Sequence, residues 1–214
     1  PDSDAKPLNK ATIEEIQAVE NVEKGEPVVT IASVQIGVTP KDANEPLLLT
    51  VGAYGVNPEF FALEGISLSQ GNLYSKESTI DVILTQGLVE NFKIPADKII
   101  GQEIEIYLSS LKENSTGEEV PTQMKVVGVI ANDTSDNIYL PFGQLEPYSD
   151  SQYQLIKVKI KPVDITGKEG QSAETDATRI GKVKNTITAM GLGVETTLDE
   201  VEQGLLRKSV ETLK

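Results

Sequence analysis

A chain of 214 residues is long enough to bury a core without disulfides or metals, and it holds one large domain or two small ones. Its formal charge of −14, with no basic cluster, argues strongly against nucleic acid as a partner and weakly against an anionic membrane surface. The absence of both Cys and His removes thiolate nucleophiles, the Ser/His/Asp triad, paired-His metalloproteases and the usual zinc sites, so no enzyme activity, metal or cofactor is expected.

After a polar lead-in over residues 1–7, Ile13, Ile16, Val19 and Val22 recur at helical spacing. Asn9, or the Thr12-Ile-Glu-Glu15 capping box, starts this amphipathic helix and Gly25 stops it. Residues 28–37 and 47–56 are β-rich runs separated by a Pro/Asp/Asn turn, which predicts an antiparallel pair. Beyond Asn57-Pro58 the pattern changes: a short helical turn at 59–63, an irregular stretch punctuated by Gly65, Gly71 and Asn72, a strand at 79–84 and a short helix at 86–92.

Over residues 102–108, Ile104, Ile106 and Leu108 alternate with Glu103, Glu105 and Tyr107, the period of a half-buried strand. A second strand at 122–131 makes a hairpin with it across the polar connection 112–121. A third, at 138–140, ends at Pro141, where another helical turn begins. Residues 153–161 put Ile156, Val158 and Ile160 on one face and Lys157, Lys159 and Lys161 on a wet one. A flexible link over 163–171 precedes a helix that Ser172 caps and Gly191 closes in the left-handed conformation. A brief strand at 193–196 and a last helix, opened by Thr197-Leu-Asp-Glu200 and striped by Leu198, Val201, Leu205 and Leu213, complete the chain.

The pattern changes divide the chain into 1–56, 57–149 and 150–214, the middle part an inserted lobe. No apolar run of about 18 residues occurs, so no transmembrane helix is expected within it. The first residue is Pro1 rather than Met, which fits a segment cut from a longer protein. If that segment lies between membrane helices, the lead-in and the last helix leave the domain from one pole.

Several local patterns have a sharp and a bland reading. Ser109-Ser-Leu-Lys112 followed by Ser135-Asp-Asn137 matches two signatures of penicillin-recognising serine enzymes, yet Ser109 ends a strand instead of opening a helix and no K-T-G follows. Asp133 to Asn137 could hold calcium but lacks the glycine and distal glutamate of an EF-hand, so it reads as a solvated hairpin turn. Gly191-Leu-Gly193 follows a helix and reads as its cap, not as a dinucleotide fingerprint. Phe60, Phe61 and Phe92 read as core. Tyr139 and Phe142, flanking Pro141, form a candidate exposed contact patch for a partner.

In order and spacing, Leu49-Thr-Val-Gly52, Asn57-Pro-Glu-Phe-Phe61, Leu63-Glu-Gly65 with Gly71, Thr79-Ile-Asp-Val-Ile-Leu84, Ile100-Gly-Gln102, Met124-Lys-Val-Val-Gly-Val-Ile130 and Ile138-Tyr-Leu-Pro141 resemble MacB-like periplasmic core domains. Those are the extracytoplasmic parts of FtsX-like ABC-transporter permeases. The resemblance implies an α+β fold with a porter-like α/β subdomain formed by both chain ends and a small α/β subdomain inserted in the middle. It implies a place on the outer face of a bacterial cell membrane, and a non-catalytic head that passes ATP-driven motion outward. The implied partners are a cytoplasmic ATPase, a second permease copy and an extracytoplasmic adaptor protein. No G-x-x-x-x-G-K-[ST] occurs, so the ATPase itself is not in this chain. The alternatives are a free-standing secreted binding or adhesion domain and, less favoured, an acyl-enzyme using Ser109 and Lys112.

Overall fold

A computed structural model of the chain describes residues 6–39, 47–92, 94–108, 121–149, 152–162 and 176–196. Eight strands and six helices are assigned among them: α1 (Lys10–Gln17), β1 (Val22–Val38), β2 (Leu47–Val56), α2 (Glu59–Leu63), β3 (Leu68–Gly71), β4 (Asp81–Thr85), α3 (Gln86–Phe92), α4 (Ala96–Ile99), β5 (Glu103–Tyr107), β6 (Thr122–Ile130), β7 (Asn137–Pro141), α5 (Phe142–Leu145), β8 (Leu155–Ile160) and α6 (Asp176–Ala189). This is the expected mixed α/β class, with few helices and one mixed sheet. None of the described helices is long and apolar enough to cross a membrane.

The sheet closes on itself. Around the circuit, β1 pairs with β2, β2 with β7, β7 with β4, β4 with β6, β6 with β5, and β5 with β1 again. The seam is β1, where Gln35, Ile36 and Gly37 pair with Thr50, Leu49 and Leu48 on one side and with Tyr107, Ile106 and Glu105 on the other. The β2–β7 and β4–β6 pairs are parallel and the other four antiparallel, a mixture that requires connections crossing the barrel instead of simple hairpins.

Period-2 alternation fills the barrel. Val34, Ile36 and Val38 of β1, Ile104 and Ile106 of β5, Met124 and Val126 of β6, and Ile138 and Leu140 of β7 all point into one buried cluster. Helix α3 adds Leu88, Val89 and Phe92, and Leu145 of α5 joins them. Removing each such side chain from water contributes about 1.5–3 kcal/mol. A second cluster lies on the outside of β2, β4 and β7, where Val56, Ile83 and Tyr139 are covered by Phe60 and Phe61 of α2 and by Tyr74.

Two compact units divide the chain, one made of 1–7, 14–24 and 158–214 and the other of 8–13 and 25–157. The first unit combines segments from both chain ends, and the second runs unbroken across Asn57 and Ser149. The physical reason is the seam: β1 and β2 carry the inward-facing residues that complete the barrel, so they share a core with β4 to β7. In the first unit, Lys159 pairs with Glu23 at 2.6 Å, the Lys161 N–H donates to the Asn21 carbonyl at 2.8 Å, and the Arg179 guanidinium donates to the carbonyls of Lys161 and Pro162 at 3.0 and 2.8 Å.

Helix α1 starts where Asn9 predicts, its Oδ1 accepting from the Thr12 N–H at 3.1 Å. It ends at Gln17, well before Gly25, because Asn21 takes a φ of 69° and turns the chain into β1. Gly191 has a φ of 82°, as a helix-closing residue should. Residues 193–196 form no strand. The final helix, with Leu198, Val201, Leu205 and Leu213, lies outside the described residues, as do Ser109, Lys112 and the connection between β5 and β6.

Candidate interaction surface

Strand β7 positions two of the three residues expected to form a contact patch, and it buries them. Ile138 and Leu140 point into the barrel, so Tyr139 points out of it, directly under α2. Its ring stacks on Tyr54 with centroids 5.0 Å apart and planes 14° from parallel, and it meets Phe61 at 5.6 Å. Only 7% of Tyr139 is exposed. Burial, then electrostatic repulsion from Asp133, Tyr54 and Glu64, push its phenol up to about 12. Pro141 is buried. Phe142 is half-buried and packs edge-on against Tyr153 at 5.6 Å and 62°. Tyr153 is itself held by a hydrogen bond from its hydroxyl to Glu146 Oε1 at 3.1 Å. Tyr139, Pro141 and Phe142 are therefore packing residues, not an open patch.

The loop between β6 and β7 is closed by its own side chains. Asp133 Oδ1 accepts from the Ser135 N–H at 2.9 Å and from the Ser135 hydroxyl at 2.5 Å. Asn137 Nδ2 donates to Ser135 Oγ at 2.7 Å, and Asn91 Nδ2 donates to Asp136 Oδ1 at 2.7 Å. The Gly87 N–H donates to the Asp133 carbonyl at 2.8 Å, which holds α3 against the loop. This is a self-satisfied Asx turn. It is not a hairpin turn, since β6 and β7 are not neighbours in the sheet. Among the described residues, no group of three or more carboxylate side chains is placed to hold a metal ion.

What the outer surface does offer is a group of apolar side chains that periodicity did not single out. Ile80 is 58% exposed, Leu73 42% and Ile100 36%. Backbone bonds gather their segments around one stretch of β6: the Lys125 N–H donates to the Ile80 carbonyl at 2.6 Å, Gly101 donates to Val126 at 2.7 Å, and Asn72 donates to Val127 at 2.9 Å. Each of the three lies in the lead-in or exit of a strand, where an apolar residue has no inward face to fill. That misplaced apolarity was the available signal. Leu47 and Leu48, 41% and 45% exposed, stand apart at the start of β2.

A buried polar pair sits at the end of β2. Glu26, 1% exposed, accepts from Asn57 Nδ2 at 2.8 Å, and the Asn57 carbonyl accepts the first backbone bond of α2, from Phe60, at 3.0 Å. Asn57 thus ties β1, β2 and α2 together.

The model for the MacB-like periplasmic core domain matches residues 1–176. No curated protein sequence is significantly similar to the chain. Among solved structures, the periplasmic region of MacB from Actinobacillus actinomycetemcomitans is similar with a TM-score of 0.61 at 17% identity, over 92% of this chain and 82% of that one. The extracellular domain of the noncanonic ABC-type transporter YknZ from Gram-positive bacteria is similar with a TM-score of 0.53 at 13% identity, over 72% and 73% of the two chains. A domain of a putative permease protein from Porphyromonas gingivalis is similar with a TM-score of 0.52 at 12% identity, over 73% and 70%. At these identities the likeness is one of fold.

Proposed function

Starting from the fact that this chain belongs to the MacB-like periplasmic core domain family, we propose that it is the non-catalytic extracytoplasmic head of an ABC-transporter permease. In this role it takes up motion driven by a cytoplasmic ATPase and presents it to substrate or to a partner outside the membrane. The unit that carries both chain ends connects to the flanking membrane helices. A second copy of the permease and an extracytoplasmic adaptor are the partners that act beside it. The group formed by Leu73, Ile80 and Ile100 is its candidate partner contact, in place of Tyr139, Pro141 and Phe142.

The observation that carries this reading is the family match across most of the chain, supported by a fold shared with the periplasmic region of MacB over nearly its whole length. The closed barrel suits the role, because a sheet with no open seam moves as one piece and passes on displacement without absorbing it. The test uses the intact gene product with an affinity tag. Protease added to intact spheroplasts should cleave this domain, and the ATPase should co-purify from detergent extracts. Cleavage only after permeabilisation, or purification without any ATPase, refutes the proposal.

A further inference from the structure

A cleft of about 380 Å³ lies between β3 and α3, within the barrel-containing unit. Gln70 of β3 lines one side, and Gln86, Val89 and Glu90 of α3 line the other, with Ile94 at the end and Val129 of β6 beneath. The volume is that of a site for a small ligand or one large side chain.

The polar wall is fixed in place. Gln86 Oε1 accepts from the Asn132 N–H at 3.3 Å, and Gln86 Nε2 donates to Glu90 Oε1 at 3.1 Å. The amide is held at both ends, so it orients the carboxylate one helical turn away. Glu90 has no cationic partner among the described residues, and it is the only ionisable side chain among the described residues lining the cleft. The rest of the wall is aliphatic or neutral, and the whole chain carries −14 charges, a field that draws cations and repels anions. Strand β3 is bonded along one edge, to β6, and no described strand pairs with its other edge. At four residues with a register shift it can add only a few main-chain bonds to an incoming segment, so a side chain in the cleft must supply the selectivity.

We propose that the β3–α3 cleft binds the side chain of a lysine or arginine presented on an extended segment of a partner protein, its aliphatic stem against Ile94 and Pro95 and its charge on Glu90. The proposal does not rest on the transporter reading, because it concerns a surface of the chain itself. It is tested with the 214-residue chain, labelled in its methyl groups, by NMR titration. The probes are an end-blocked Thr-Val-Lys-Val-Thr peptide, the same peptide with norleucine for lysine, and n-butylammonium.

The lysine peptide should give saturable shifts in the methyl groups of Val89, Ile94 and Val129. Glu90→Gln, and separately the norleucine peptide, should each weaken binding by up to about fivefold, the effect of one solvent-accessible ion pair. Glu77→Gln, an exposed carboxylate away from the cleft, should leave binding unchanged. Raising salt should weaken the lysine peptide and leave the norleucine peptide unaffected. Equal binding of the two peptides, an unaffected Glu90→Gln variant, or shifts confined to other methyl groups would overturn the assignment. Butylammonium binding as tightly as the lysine peptide would overturn the claim that the cation is carried on a peptide.

Discussion

Replacing Tyr74 by Phe removes one hydroxyl and leaves the ring, which isolates the role of a single donor. Tyr74 is 3% exposed, and its hydroxyl lies 3.1 Å from the Val56 carbonyl and 3.0 Å from the Leu140 carbonyl, at the ends of β2 and β7. Opposite Val56 stands Pro141, which brings no N–H to the ladder, so the phenol supplies a donor where the backbone has none. One proton is shared between two acceptors, which makes the pair of bonds worth less than two separate ones. Burial raises the cost of leaving the carbonyls short. The two effects together put Tyr74→Phe at about 1–2 kcal/mol. Tyr74→Ala also empties the space of a ring that meets Phe61 edge-on at 5.9 Å, and should cost roughly 3–5 kcal/mol. Urea unfolding followed by circular dichroism measures both, with an unchanged m-value expected for the Phe variant. A Phe variant as stable as the parent would show the hydroxyl to be inert. A Phe variant as damaged as the Ala variant would place the stabilisation elsewhere than in the ring.

Alkaline stability should follow the buried phenols. Tyr139 is raised from an ordinary 10.0 to about 12, so between those values the folded state holds a proton that the unfolded state has lost, and stability should fall as pH rises through that window. Tyr139→Phe should flatten the fall, and a parent chain whose melting temperature is level across the window would contradict it. Gly87→Ala should destabilise by about 2 kcal/mol or more, since the new Cβ would sit 2.4 Å from the Thr134 carbonyl oxygen; thermal melting reads this, and an unchanged midpoint would mean that the loop yields freely. Asn57→Ala should cost about 2–3 kcal/mol by taking a donor from the buried Glu26 carboxylate, and Asn57→Ala combined with Glu26→Leu should recover part of that loss in the same unfolding assay.

The strands that alternate cleanly were legible in the sequence because alternation is itself the mark of one buried face. Residues 102–108 and 122–131 became β5 and β6 as the expected antiparallel pair, and the structure sets Ile104 opposite Met124. The closure of the sheet was not legible. Pairing of β2 with β7, or of β1 with β5, joins segments far apart in the chain, and no local period encodes it. For the same reason, residues 28–37 and 47–56 gave no sign that their apolar faces would meet those of β4 to β7. Tyr139 shows a subtler limit. Its outward orientation follows from the inward Ile138 and Leu140, but a second apolar layer on the outside of the sheet is needed to bury it. Phe60 and Phe61 were the clue to that layer, being two adjacent rings on a single helical turn too short to hide both alone. The Glu90 cleft could not be read from sequence at all, because β3 and α3 are brought together by their separate bonds to β6 and to the Asn132 loop.

The parallel pair of β2 and β7 has a kinetic consequence. Gly52 lies opposite Asn137, so this join cannot form until β7 has been synthesised. At ~5–20 residues per second, the chain waits on the order of 4–17 s after β2 appears before its partner exists. Until β5 is made, β1 and β2 can pair only with each other, and the outer edge of β2 stays open until β7 arrives. Contacts of such long range also slow the folding step itself. A ribosome-bound chain shortened to end before Asn137 should therefore remain sensitive to protease and be held readily by chaperones, whereas one extended past Tyr153 should become resistant in a single step.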